Sequence, residues 1–252
     1  MARKSADAPA VQRTRAVELS MPSTFAQYKT LLVKDLQQEF RTKEMLTSMG
    51  IYALLVLIVY GASLGQTAQA TDVLQLSGGL LWALIVFTSL LGLNRSFGHE
   101  KEQGCMEGIL LVPMDRSVIF LAKATSNLLF LLVVEVIAVP LFWFFFLTTA
   151  QPGPDFMLMV VPLLVGTIGV AGIGTLLSTI TVNTRGKDVM LAVLFVPLIF
   201  PLLYACASAT TAVVVGTEGY FDVFVQSLAL AGGYDVIMLL LSWVLYDFVI
   251  SA

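Results

Sequence analysis

Residues 189–211 read VMLAVLFVPLIFPLLYACASATT, a stretch without lysine, arginine, histidine, aspartate or glutamate. As a helix it extends about 34 Å at 1.5 Å per residue, enough to cross roughly 30 Å of hydrocarbon. A helix is also the one open-chain form that satisfies its own backbone groups in lipid. Five more gaps between charges have the same character, at about 45–64, 73–93, 118–147, 156–182 and 223–250. The third is broken only by Lys123 near its start and by Glu135, and the last by Asp235 and Asp247. The clean run 236–246 is too short to cross alone, so either Asp235 lies inside the sixth span or that helix tilts and re-enters. Composition agrees, with 58% hydrophobic and 12% charged residues and a mean hydropathy of +0.88. A soluble domain carries about twice that charged fraction. Soluble enzymes, nucleic-acid-binding modules and disordered scaffolds are thereby excluded, and the fold class is an all-α membrane protein with six transmembrane helices.

The net charge of −3 says little about orientation, which depends on where the bases fall. Arg3, Lys4, Arg13, Arg15, Lys29, Lys34, Arg41 and Lys43 precede the first span. Arg95, Lys101, Arg116 and Lys123 bracket the loop between spans two and three, and Arg185 and Lys187 sit between spans four and five. All fourteen therefore share one side. The opposite loops, 65–72, 148–155 and 218–222, hold acids but no Lys or Arg, which places both termini in the cytosol. Residues 1–22 are polar, Ala-rich and basic, the composition of a disordered cytosolic tail. Residues 23–44 predict an amphipathic interfacial helix. Phe25, Tyr28, Leu32, Leu36 and Phe40 recur at helical spacing, with Lys29, Lys34, Asp35, Glu39, Arg41 and Lys43 on other faces. Such a helix orients the first span, and it also offers a surface for a partner. The remaining 45–252 make up the six-helix domain.

The loop 94–116, NRSFGHEKEQGCMEGILLVPMDR, sets charges and His99 beside the apolar run 109–112, which Pro113 ends. A short amphipathic helix is expected there, with Gly104 and Gly108 opening its backbone to close approach. At 23 residues it is long for a solvated connection, which favours a protein contact. Cys105 and Cys206 fall in a cytosolic loop and a span, so both are expected as free thiols. Catalytic constellations are missing: the sequence has one histidine, no HExxH, no GxSxG and no GxxxxGK[ST]. Leu76, Ser77, Gly78 and Gly79 spell the LSGG of ABC-type ATPases, but they open a span and lack a nucleotide-binding lysine, so helix packing explains them better.

Three intramembrane polar residues are candidates. Glu135 sits near the middle of span three, where an ionised carboxylate costs at least about 2.5 kcal/mol unless paired or wetted. It either lines a cavity or gate between protomers, or is protonated and donates a hydrogen bond to a neighbouring helix. Asp235 carries the same two alternatives, with Tyr234 as an interfacial anchor, and Asn127 is the third. Asp247, nearer the cytosol, is expected to be solvated or capping. Gly166, Gly169, Gly172 and Gly174 give span four a small-residue surface for tight packing. Trp82 and Trp143 lie in spans and pack there.

Residues 90–130, LLGLNRSFGHEKEQGCMEGILLVPMDRSVIFLAKATSNLLF, resemble the central signature of the haem exporter protein B (CcmB) family. The matching positions are Asn94 and Arg95, Gly104 and Cys105, Glu107 and Gly108, Pro113, Asp115 and Arg116, then Lys123 and Asn127. Residues 25–45, 183–203 and 234–250 resemble the family's opening helix, span-five start and final span, so the likeness covers about 24–250; only the longer tail departs. The resemblance implies the membrane subunit of an ABC exporter, a half-transporter expected to homodimerise or to pair with another membrane subunit. It also implies a separate cytosolic ATPase, a haem-handling membrane subunit, a periplasmic haem chaperone and the bacterial inner membrane. The segment 97–112 would then be a coupling helix seated on the ATPase, through Phe97, Glu100, Lys101, Glu102, Gly104, Cys105, Met106, Glu107, Gly108, Ile109 and Leu110. Met106, Ile109 and Leu110 would bury in the partner, with Glu100, Lys101, Glu102 and Glu107 pairing around them. His99 is the one histidine for haem and competes with that contact, so no tightly bound cofactor is expected on this chain. Fold does not fix cargo, which leaves open a permease for another small substrate or lipid, or a scaffold that only anchors the ATPase.

Overall fold

The structure is a computed structural model that describes residues 23–64, 70–102, 116–147, 155–181, 184 and 186–251. Among them are seven α-helices and no strand. They are α1 (Thr24–Thr42), α2 (Glu44–Leu64), α3 (Ala70–Glu102), α4 (Arg116–Phe142), α5 (Val160–Thr181), α6 (Lys187–Val215) and α7 (Tyr220–Ser251). A π-helical turn, Trp143–Leu147, continues α4, and a 3-10 turn, Phe156–Met159, leads into α5. Six segments are long and apolar enough to cross a membrane: Glu44–Leu64, Asp72–Arg95, Ser117–Leu147, Met157–Thr181, Lys187–Val215 and Tyr220–Tyr246. The sixth is one unbroken helix, so Asp235 lies inside the span and the re-entrant alternative falls away.

Enclosure ranks the helices. In their membrane windows α3 and α5 are 61% buried, against 22% for α2 and α7, so the former pair is central. α5 packs against α3, α4, α6 and α7, while α2 closes one edge on α3 and α4. The glycines of α5 allow this closeness, each receiving a neighbour's side chain where a Cβ would otherwise stand. Gly166 takes Trp82 and Cys206, Gly169 takes Asp235 and Leu202, Gly172 takes Leu239, and Gly174 takes Leu93. Gly78 of the LSGG run lies against the backbone of Ala207 and Thr211 of α6, and buried Ser77 donates to the Leu74 carbonyl at 2.7 Å. Those residues are thus packing elements of α3. Fully buried Trp82 donates to Thr210 Oγ1 at 3.1 Å, tying α3 to α6.

The turn from α1 to α2 occupies a single residue. Lys43 adopts φ 55° and its N–H donates to the Glu39 carbonyl at 2.6 Å, ending α1. The Glu39 carboxylate accepts from the Leu46 N–H at 2.8 Å, supplying an acceptor to the otherwise orphaned first turn of α2. At the far end of the bundle, the Tyr220 hydroxyl donates to Asp155, joining the start of α7 to the residue before the 3-10 turn.

Candidate functional site

The ends carrying Lys43, Arg95, Lys123 and Lys187 gather on one side of the bundle because the spans alternate in direction. Here α1 docks on α4 through charge. Lys123 Nζ lies 2.8 Å from Asp35 Oδ2, with both side chains buried, and Lys34 Nζ lies 3.3 Å from Oδ1. Ser126 donates to Asp35 Oδ2 at 3.3 Å. The buried row of α1 is therefore Leu31, Asp35 and Glu39, flanked by Tyr28. This row lies beside the aromatic stripe read from the sequence, on the side of the helix that faces the protein. The stripe with Phe25 and Phe40 does not seat the helix on the protein, for those rings are 73% and 63% exposed. A cation inside a span needs a counter-charge, and Asp35 supplies it. Arg95 pairs with Glu44 at 2.5 Å, but both are exposed enough for the pair to add little.

Deeper in the bundle the polar side chains of α4 meet hydroxyls of α5. Asn127 donates to Thr175 Oγ1 at 2.9 Å, its Oδ1 having no hydrogen-bond partner among the described residues. Glu135, 8% exposed, lies 2.7 Å from Thr167 Oγ1, which also lies 2.7 Å from the Leu163 carbonyl. Thr167 has one hydroxyl proton for two acceptors. Beside Glu135 is a small void of about 10 Å³, also lined by Thr88, whose buried Oγ1 has no partner among the described residues. Asp235 sits across α5 from Glu135, against Gly169 and Leu202, with Oδ1 buried and without a described partner. Its neighbour Tyr234 donates to the Leu198 carbonyl of α6. The structure thus joins Asn127 and Glu135 to one face of α5 and sets Asp235 on the other.

The coupling residues divide in two. α3 runs as one helix beyond Leu93 to Glu102, so the backbone of Phe97, His99, Glu100, Lys101 and Glu102 extends span two outward. Gly104, Cys105, Met106, Glu107, Gly108, Ile109 and Leu110 lie outside the described residues, as do the tail 1–22, Pro113 and Asp115. Cys206 is a buried free thiol, and among the described residues no three His, Cys, Asp or Glu side chains gather as metal ligands.

Sequence reasoning missed the roles of Asp35, Glu39, Ser126, Thr167 and Thr175. One signal was present, since Tyr28, Leu31, Asp35 and Glu39 form a row at three- and four-residue spacing while Lys123 stood in an apolar span without a stated partner.

Six apolar helices packed around a shared apolar core, with amide, carboxyl and hydroxyl side chains joining α4 to α5, define a multi-pass helical membrane protein. Residues 26–247, the stretch containing all six spans, match the family described as CcmB protein, and the chain belongs to that family. It is 27% identical over 185 residues to Heme exporter protein B of Pseudomonas aeruginosa, covering 73% of this chain and 81% of that one. Heme exporter protein B of Paracoccus denitrificans is 26% identical over 205 residues, 81% of this chain and 91% of its own. The Rhodobacter capsulatus protein of the same name is 26% identical over 151 residues, 60% and 68% of the two chains.

Proposed function

We propose that this chain is the membrane-spanning permease subunit of an ABC transporter complex for cytochrome c maturation. A separate cytosolic ATPase hydrolyses ATP, and the permease couples that hydrolysis to haem delivery or to release of a haem-loaded periplasmic chaperone. The observation that carries this reading is the family match over 26–247, with relatives named Heme exporter protein B. In this reading the basic ends face the cytosol of a bacterial inner membrane, two copies of the chain associate, and a haem-handling membrane subunit stands beside them. The chain contributes no catalytic group and holds no cofactor tightly.

The geometry supports a transmission role. α3 and α4 bound the segment 103–115, which bridges spans two and three. A partner gripping that bridge through Phe97, Glu100, Lys101, Glu102 and residues 104–110 would displace both helices as rods. α4 would carry the displacement to α1 through Lys123 and Asp35, and to α5 through Asn127–Thr175 and Glu135–Thr167. Because α5 packs against four other spans, its shift would reach most of the bundle.

The test is reconstitution with the cognate ATPase, measuring ATPase binding, ATP turnover and chaperone release. Glu107→Ala is expected to weaken ATPase binding, and Glu135→Ala to impair release with ATPase binding retained. A pair of Glu107→Ala and Met106→Ala chains that bind the ATPase and release chaperone like the parent would overturn the docking role. Release that proceeds at the parent rate without ATP would overturn the function itself.

A further inference from the structure

The surface of α1 is sorted by charge. Its two acids, Asp35 and Glu39, turn into the protein and are engaged there, while Lys29 and Arg41 are exposed and unpaired among the described residues. Two adjacent rows face outward. Phe25, Lys29, Val33 and Phe40 form one, apolar except for its lysine; Thr30, Lys34, Gln37 and Arg41 form the next, polar and basic. An open groove of about 790 Å³ runs along them, with Lys29, Lys34 and Arg41 among its lining residues.

The depth of α1 is fixed at two points. Its C-terminus passes through Lys43 directly into the first span, and its middle is tied to Lys123 and Ser126 of α4. The span containing those two residues, Ser117–Leu147, extends about 46 Å and exceeds the roughly 30 Å hydrocarbon core, so its first turns lie at headgroup level. Exposed phenylalanines at that depth enter the acyl boundary, and a lysine between them reaches outward with its ammonium at the phosphates.

We propose that the outward rows of α1 form a binding site for anionic phospholipid headgroups of the adjoining leaflet, with Lys29, Lys34 and Arg41 on the phosphates and Phe25 and Phe40 in the acyl boundary. Charge selects this occupant over the chain's own tail, because residues 1–22 hold four bases, Arg3, Lys4, Arg13 and Arg15, against two acids, Asp7 and Glu18, and would be repelled. A soluble partner reaches the polar row but gives no reason for two exposed phenylalanines around Lys29.

The experiment is native mass spectrometry of the full chain purified in micelles with equal phosphatidylglycerol and phosphatidylcholine. The parent is expected to retain phosphatidylglycerol preferentially. Each neutralisation in Lys29→Gln, Lys34→Gln and Arg41→Gln should lower that retention about fivefold. A charge-keeping chain with Lys29→Arg, Lys34→Arg and Arg41→Lys should restore it, which separates lost charge from lost folding. Equal retention of the two lipids by the parent, or an undiminished preference in the triple glutamine chain, overturns the proposal. So does a triple glutamine chain that keeps the lipid preference but no longer co-purifies with the ATPase, which would give the face to a soluble partner.

Discussion

Lys123 and Asp35 are each 5–8% exposed and meet at 2.8 Å, so neither side chain has water to fall back on. Removing Asp35 takes the counter-charge at 2.8 Å from buried Lys123, at a cost of about 3–5 kcal/mol, whereas removing both ions leaves only a polar gap refilled by apolar groups. Asp35→Leu is therefore expected to be far less stable than Asp35→Leu with Lys123→Met, as measured by thermal unfolding in micelles, while Lys123→Met alone leaves Asp35 with Lys34 at 3.3 Å and should lose less. Additive losses in the two single chains and the double would show that the ions do not depend on each other. A second residue-scale prediction follows from proton counting at Thr167. Its hydroxyl stands 2.7 Å from both the Leu163 carbonyl and Glu135, and a donor at position 135 would satisfy both contacts. Glu135→Gln supplies an N–H donor and should unfold within about 1 kcal/mol of the parent, while Glu135→Ala leaves the hydroxyl only the Leu163 carbonyl and opens a void, costing about 2–4 kcal/mol. Equal unfolding temperatures for the Gln and Ala chains would remove the hydrogen bond from the account.

At the scale of elements, the glycines of α5, like Gly78 and Gly92 of α3, face a neighbour at close range, whereas Gly50, Gly61 and Gly79 face none. A methyl group at Gly166 would overlap the Trp82 ring and the Cys206 sulfur, and Trp82 is fixed by its bond to Thr210. At Gly79 the same methyl meets nothing. Gly166→Ala should thus destabilise by about 1–3 kcal/mol through overpacking. Gly79→Ala should be neutral or gain up to about 1 kcal/mol from helix propensity. The same denaturation assay measures both, and a neutral Gly166→Ala would mean that α3 and α5 are looser than the structure shows. The spans themselves were legible from gaps between charges, because lipid enforces length and apolarity on each one separately. Partners across helices were not. The α5 glycines announced close packing without saying which ring would fill Gly166, and the aromatic stripe of α1 did not say that Asp35, on another side of the helix, would meet Lys123. Periodicity reports which residues share a face; it does not report what stands opposite. Intramembrane Glu135, Asn127 and Asp235 were visible for the converse reason, since a polar group in an apolar run stands out before its partner is known.

For the whole molecule, alternation of six spans forces the chain ends and loops into two sets, and the bases sort entirely with one. Positive charge is retained on the cytosolic side during insertion, so Lys43, beside α1, should face the cytosol and Glu218, between α6 and α7, the opposite compartment. Both positions are exposed, which makes each a usable reporter of sidedness. In a chain whose Cys105 and Cys206 are replaced by alanine, a cysteine introduced by Glu218→Cys should react in intact cells with a membrane-impermeant maleimide, and one introduced by Lys43→Cys only after the membrane is opened. The reverse pattern would put the bridge between α3 and α4 on the side without ATP, out of reach of any cytosolic motor. Labelling of both in intact cells would break the six-span count. The assay bears on coupling as well as topology, because a permease driven from one face must hold α1, the α3–α4 bridge and the turn before α6 on that face together.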